Sequence, residues 1–285
     1  MQQDLTRFLY VRGVERGYSE NTTAAYRNDL AQFVEFLRLW PAGPITRPEA
    51  ITSDVVAGFL ADLNGRNYSA STVARKVAAV KSFFHYLAQT GAIAADLAGD
   101  LVSPKVRKNS PKLLSRHEVE RLLAAPGNGS SAKALRDRAL LNFLYATGMR
   151  VSEVVALRTT DVDLERGEVR LSGKAGRSGR ALPLPASTLQ ALVDYLHNGR
   201  QQMLRQTDDL SLFVNHRGQK LTRQGLWLII KEYASAAGIA DVTPHTLRHS
   251  FASHLLSDGT NLKDLQELLG HAHVSTTQIY MTAGR

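Results

Sequence analysis

Two histidines and an arginine fall within five residues of this 285-residue chain, in the run Thr243-Pro244-His245-Thr246-Leu247-Arg248-His249. Thr243 followed by Pro244 reads as a helix start: a hydroxyl N-cap, then proline at the first helical position, where no N–H is needed. His245 and Arg248 are three residues apart and share a face of the first turn. The unpaired backbone N–H groups and the positive end of the helix dipole lie at that same end. A histidine, an arginine and a helix N-terminus together form a receptor for an anionic oxygen. His245 and His249 also have the four-residue spacing of an H-E-x-x-H zinc site. Thr246 stands where that motif has its glutamate, however, and Arg248 would repel a cation, so no metal or other cofactor is expected.

Three further fragments carry chemistry. Gly148-Met149-Arg150-Val151-Ser152-Glu153 sets an arginine just past a glycine and an acid three residues on. Leu268-Leu269-Gly270-His271 is a helix end followed by a histidine, and Thr276-Thr277-Gln278-Ile279-Tyr280 places a tyrosine nine residues later. The overall charge suits a phosphate partner. Lys and Arg number 35 against 26 Asp and Glu, a net of +9, and 25 of the 35 are arginine. Arginine's planar fork matches phosphate better than lysine's point charge, and a net basic chain is what a nucleic-acid binder presents.

Composition excludes several classes. Without cysteine there is no disulfide framework, thiol nucleophile or cysteine zinc finger. No apolar run approaches the ~20 residues that cross a bilayer. The opening MQQDLTRFLYVRG lacks the basic and apolar regions of a secretion signal. The expectation is a soluble cytoplasmic protein with no membrane partner.

The elements that must hold these residues fall into two parts. A proline-broken basic linker at 104–112 separates a domain at 1–103 from one at 113–285, and each side of residue 108 is net positive. The first part reads as a four- or five-helix bundle: Leu5 to Val11; Tyr26, Leu30, Phe33 and Leu37; Val55, Val56, Phe59 and Leu63; Val73, Val77, Val80, Phe84 and Leu87. Arg75, Lys76 and Lys81 are read as lying opposite the last stripe, and Arg223 and Gln224 follow the helix-starting Thr222. All five are candidate DNA contacts. In the second part a capping box at Ser115 and Glu118 opens one helix, Gly148 closes another, and 151–157 reads as a third. Strands follow at 162–164, 168–171 and 180–184, then helices at 186–197, 222–237, 243–257 and 261–269. The fold expected is mainly α with a small three-stranded antiparallel sheet in the C-terminal domain, a two-domain DNA clamp.

Taken in order, G-M-R-x-S-E, H-T-L-R-H, L-G-H and T-T-Q-I-Y resemble the tyrosine recombinases, specifically the Xer type. The likeness runs over nearly the whole chain, and the amino half is similar to the family's helical core-binding domain. It implies that Tyr280 is the nucleophile that forms a 3′-phosphotyrosyl bond. It further implies that Arg150 and Arg248 clamp the phosphate and that His271 donates to it. His245 would take the tyrosine's proton or share in charge stabilisation, Lys174 would protonate the leaving 5′-oxygen, and Glu153 would orient the cluster. The implied partner is a double-stranded recombination site, with a tetramer of this chain, or of it and a related recombinase, on two duplexes. Chromosome dimer resolution is the implied role. The alternatives are integration of a mobile element and a non-catalytic DNA-binding protein on the same fold. Family members generally continue for another helix after the tyrosine. Here five residues follow, and weaker cooperative synapsis is expected from that.

Physical chemistry is consistent with such a site. Phosphoryl transfer needs positioning and charge neutralisation above all, which two guanidiniums supply without a metal or ATP. A phenol, with an ordinary pKa of about 10, needs positive charge and a proton acceptor nearby.

Overall fold

A computed structural model describes residues 1–14, 20–105, 112–173, 179–205, 209–271, 277 and 280. The chain divides into two compact units, Met1–Asn109 and Ser110–Arg285. Lys174, the core of the proposed linker (106–111) and the tail 281–285 lie outside the described residues.

The first unit contains α1 (Gln2–Val14), α2 (Glu20–Arg38), α3 (Ser53–Gly65) and α4 (Ala70–Gln89). Apolar residues at three- and four-residue spacing put Leu30, Phe33 and Leu37 of α2 wholly inside. They meet Val56, Phe59 and Leu63 of α3 and Val77, Val80, Phe84 and Leu87 of α4. Phe33 is the centre of this core, with the rings of Phe59 and Phe84 edge-on at 4.9 and 5.6 Å. Ser69 caps α4 by accepting from the Thr72 N–H.

The second unit is arranged on α6. It holds α5 (Arg116–Ala124), α6 (Ala132–Thr147) and the single turn α7 (Val151–Val154). The strands β1 (Val162–Asp163), β2 (Glu168–Leu171) and β3 (Arg180–Pro183) come next. They form one antiparallel sheet in the order β1-β2-β3, with buried Val169 facing Leu182. Then follow α8 (Ala186–Asp194), a π-helical stretch Tyr195–Arg200 that runs on into α9 (Gln201–Met203), α10 (Arg223–Ala236), α11 (Pro244–Ser257) and α12 (Leu262–Leu269). Leu135, Ala139, Leu140, Leu141, Phe143 and Leu144 bury α6 on most of its faces, as expected of a central helix. Arg136 and Asp137 are buried with it. Asp137 accepts from the Arg136 guanidinium at 2.7 Å and the Tyr233 hydroxyl at 3.0 Å, so neither charge is left unpaired.

Two elements differ from the sequence reading. The helix expected over 151–157 stops at Val154 because the chain beyond it pairs elsewhere: Leu157 O accepts from Leu212 N–H, and Thr159 N–H donates to Leu210 O. The helix expected to end at His197 continues to Met203 through the π-helical stretch. No helix among the described residues is long and apolar enough to cross a membrane.

Candidate active site

Three helix termini converge to build the site. Gly148 closes α6 in the left-handed conformation, at φ 55°, where a side chain would be strained. The chain turns there, so that Arg150 stands at the N-cap of α7. Gly270 closes α12 in the same way, at φ 62°, and His271 follows it. Thr243 caps α11 by accepting from Thr246 N–H at 3.1 Å, while Thr246 Oγ1 accepts from Thr243 N–H at 3.2 Å. Arg248 is carried in the second turn of that helix.

Arg248 is the centre of the site. It is 7% exposed, and its guanidinium donates to three acceptors: Gly148 O, Leu269 O at 2.8 Å and His271 Nε2 at 3.0 Å. Both backbone acceptors are carbonyls at helix C-terminal ends, where no intrahelical donor reaches them. Burial, then the neighbouring charge of Arg150, push Arg248 down to about 10, while the Tyr280 phenol and Glu153 act the other way. It stays a cation at neutral pH. Arg150 is more open, with 38% of its side chain exposed, and its Nη2 donates to Gly270 O at 3.0 Å.

Because arginine can only donate, His271 Nε2 is the acceptor, and the ring's proton sits on Nδ1, which donates to the buried Thr277 hydroxyl at 2.9 Å. Burial, and then the charges of Arg248, Arg150 and Arg180, push His271 to about 4. It is neutral at pH 7, and in this state its N–H serves Thr277.

Tyr280 is buried, 4% exposed, against Ala252, Leu265 and Leu269. Its ring has two imidazoles beside it: His249 at 5.1 Å and tilted, His271 at 6.1 Å and nearly parallel. The second of these imidazoles is the one that accepts from Arg248. Phenol, Arg248, His271 and Arg150 therefore share one pocket. His245, by contrast, is exposed on the first turn of α11. His249, one turn further on, touches the tyrosine ring. Burial, then His245 and Arg248, hold it below the usual imidazole range, and its Nδ1 is buried without a hydrogen-bond partner.

Glu153 accepts from Arg150 N–H at 2.9 Å and from Arg150 Nη1 at 3.4 Å. Arg180 Nη2 reaches both of its oxygens, at 3.2 and 3.1 Å. Burial acts to raise this carboxyl, but the Arg150 N–H and the Arg180 and Arg150 charges prevail, and it lies below the usual carboxylate range. Arg180, Thr277 and His249 are members of the site that sequence reasoning missed. For His249 the signal was its helical spacing from His245, and for Thr277 its place in the T-T-Q-I-Y run; for Arg180 no local signal existed.

The proposed DNA contacts are scattered. Arg223 and Gln224 are exposed on the first turn of α10, Arg75 is exposed on α4, and Lys81 is half-buried. Lys76 is corrected: it is 9% exposed, bonded to buried Asp29 at 3.1 Å and placed over the Tyr68 ring, so it faces the bundle interior. Arg75 also bonds Asp29. A groove of the second unit, about 580 Å³ and lined by Tyr145, Leu184, Phe251, His254 and Leu268 among others, is lined by none of the phosphate-binding candidates.

Residues 112–284 match the phage integrase family, and residues 5–91 match the phage integrase N-terminal SAM-like domain. The chain is 49% identical over 280 residues to the tyrosine recombinase XerC of Herpetosiphon aurantiacus, covering 98% of this chain and 90% of that one. It is 43% identical over 276 residues to the tyrosine recombinase XerD of Listeria monocytogenes, covering 96% and 91%. Among solved structures it is similar to the XerH site-specific recombinase bound to difH substrate in a pre-cleavage complex. That likeness has TM-score 0.73 and 26% identity, and covers 97% of this chain and 81% of the other.

Proposed function

The chain belongs to the phage integrase family, among its Xer-type tyrosine recombinases, and from that premise we propose how its own residues carry out strand exchange. It is a site-specific DNA recombinase. The observation that carries the assignment of roles is the pocket in which Arg248 joins His271, Arg150 and the Tyr280 phenol. Arg150 and Arg248 hold the non-bridging oxygens of the scissile phosphate, and their charge offsets that of the five-coordinate transition state. The Tyr280 oxygen attacks phosphorus. One P–O bond forms to the phenol oxygen as the bond to the 5′-oxygen breaks, leaving a 3′-phosphotyrosyl link and a free 5′-hydroxyl. Lys174 supplies the proton to that leaving oxygen. The phenol's proton passes to an imidazole, His245 as the motif implies. A second strand's 5′-hydroxyl reverses the step, so the ester conserves the broken bond and no ATP is consumed.

The helical unit and the catalytic unit act together as a DNA-binding pair, with copies of this chain or a related recombinase assembling as a tetramer on two duplexes. Chromosome dimer resolution in the cytoplasm, at the nucleoid, is the role that fits the names of its relatives, XerC and XerD. The decisive experiment incubates the protein and its Tyr280→Phe variant with nicked suicide duplexes drawn from genomic fragments. The parent should form a protein–DNA adduct that survives denaturing electrophoresis. The variant should bind the same DNA and form none; a persisting adduct refutes the nucleophile.

A further inference from the structure

We infer that Arg180 is a positioning residue of the strand-cleavage step, holding the Arg150 turn and the His271 turn in register and keeping Arg150's charge available to the phosphate. The inference rests on the recombinase reading given above. Arg180 opens β3, and its guanidinium spans two elements distant in sequence. Nε donates to Leu268 O at 2.9 Å, at the end of α12, and Nη2 donates to both oxygens of Glu153 in α7. The same group approaches Gly270 closely: a Cβ there would come within 2.6 Å of Nη1 and 2.9 Å of Cζ. One planar cation therefore ties the turn that presents Arg150 to the turn that presents His271. Its side chain is 21% exposed, so the contacts are partly shielded from water.

Charge gives the tie a second effect. Glu153 touches two guanidiniums, Arg150 at 3.4 Å and Arg180 at 3.1 Å. With Arg180 in place the three groups sum to one positive charge. Without it, Glu153 and Arg150 would form a neutral pair, and the carboxylate would draw Arg150 inward, away from an incoming phosphate. Lysine cannot replace this fork, because a single ammonium does not reproduce the planar, multi-pronged geometry.

The test measures covalent-complex formation in single turnover, with DNA affinity measured separately, on a nicked duplex that the parent captures. Arg180→Met should slow adduct formation by about 10–100-fold, the scale of losing an outer partner of a functional group, with affinity within about twofold of the parent. Adding Glu153→Gln to Arg180→Met should restore a substantial part of the rate, because it removes the carboxylate that now cancels Arg150. A purely structural contact predicts further loss instead. Arg180→Lys should fall between parent and Arg180→Met, and it carries the test if the methionine variant does not fold. A rate within twofold of the parent in Arg180→Met, or in Arg180→Lys if that variant carries the test, overturns the inference. Additional loss in the double variant, or affinity falling in step with rate, does so too. Failure of the parent itself to form a Tyr280 adduct would instead strike the recombinase reading.

Discussion

Replacing Gly148 by alanine tests how the site is built, with Gly127→Ala as its control. Both glycines sit in the left-handed region, at φ 55° and 66°, where an alanine costs about 1–2 kcal/mol. Both also lose the same unfolded-chain freedom, worth about 0.4–1 kcal/mol in favour of alanine. They differ in surroundings. A Cβ at Gly127 meets nothing within 4 Å, whereas one at Gly148 lands 2.3 Å from Phe251 Cδ1, 2.6 Å from its Cε1 and 3.2 Å from Leu269 Cδ2. Overpacking of that kind costs about 1–3 kcal/mol, so Gly148→Ala should be the less stable of the two by that amount. Urea unfolding followed through Trp227, in a Trp40→Phe background, reads the catalytic unit. With m near 2 kcal/mol/M the midpoints should differ by roughly 0.5–1.5 M at unchanged m. Because Gly148 O accepts from Arg248, Gly148→Ala should also slow DNA cleavage while Gly127→Ala does not. Coincident midpoints would refute the reasoning that close contact, beyond backbone strain, reserves this position for glycine.

The remaining predictions concern titration and buried partners. His271 sits near 4 when folded and near 6.5 when unfolded. Its stabilising share is therefore complete above about pH 6.5 and is lost as pH falls towards 4; a His271→Asn variant should show a shallower loss across that window in thermal melts. Thr277→Val keeps the shape but removes the acceptor of the His271 Nδ1 proton. It should slow adduct formation by about 10-fold with DNA affinity unchanged, and a parent-like rate would remove Thr277 from the site. Asp29→Ala strands the buried Lys76 ammonium and should cost about 3–5 kcal/mol in denaturant unfolding of the helical unit.

The parts of this molecule legible in sequence are those governed by near neighbours. The stripe from Val73 to Leu87, the Thr243 and Ser115 caps and the glycine stop at Gly148 each depend on contacts within a turn or two. Arg150, Arg248 and His271 were recognisable because their flanks form an ordered motif, and the structure brings these three together with Tyr280. Lys76 was misread because it was grouped with Arg75. Three residues after Val73 and four before Val80, it falls on the core side, where Asp29, 47 residues away in sequence, makes a charge tolerable. Arg180 was invisible for a related reason: its partners stand 27 and 88 residues off, and nothing beside it in the chain hints at either. The early end of α7 likewise depends on a segment more than fifty residues downstream.

The backbone carbonyls that grip Arg248 belong to Gly148 and Leu269, and that choice of anchor has an evolutionary consequence. A carboxylate anchor could be erased by one codon change and would dilute the cations it steadied. A main-chain oxygen survives every side-chain replacement and holds a guanidinium without neutralising it. Mutational vulnerability is thereby displaced from the anchors to the two hinge glycines that aim them, where loss of activity would trace to altered chain direction.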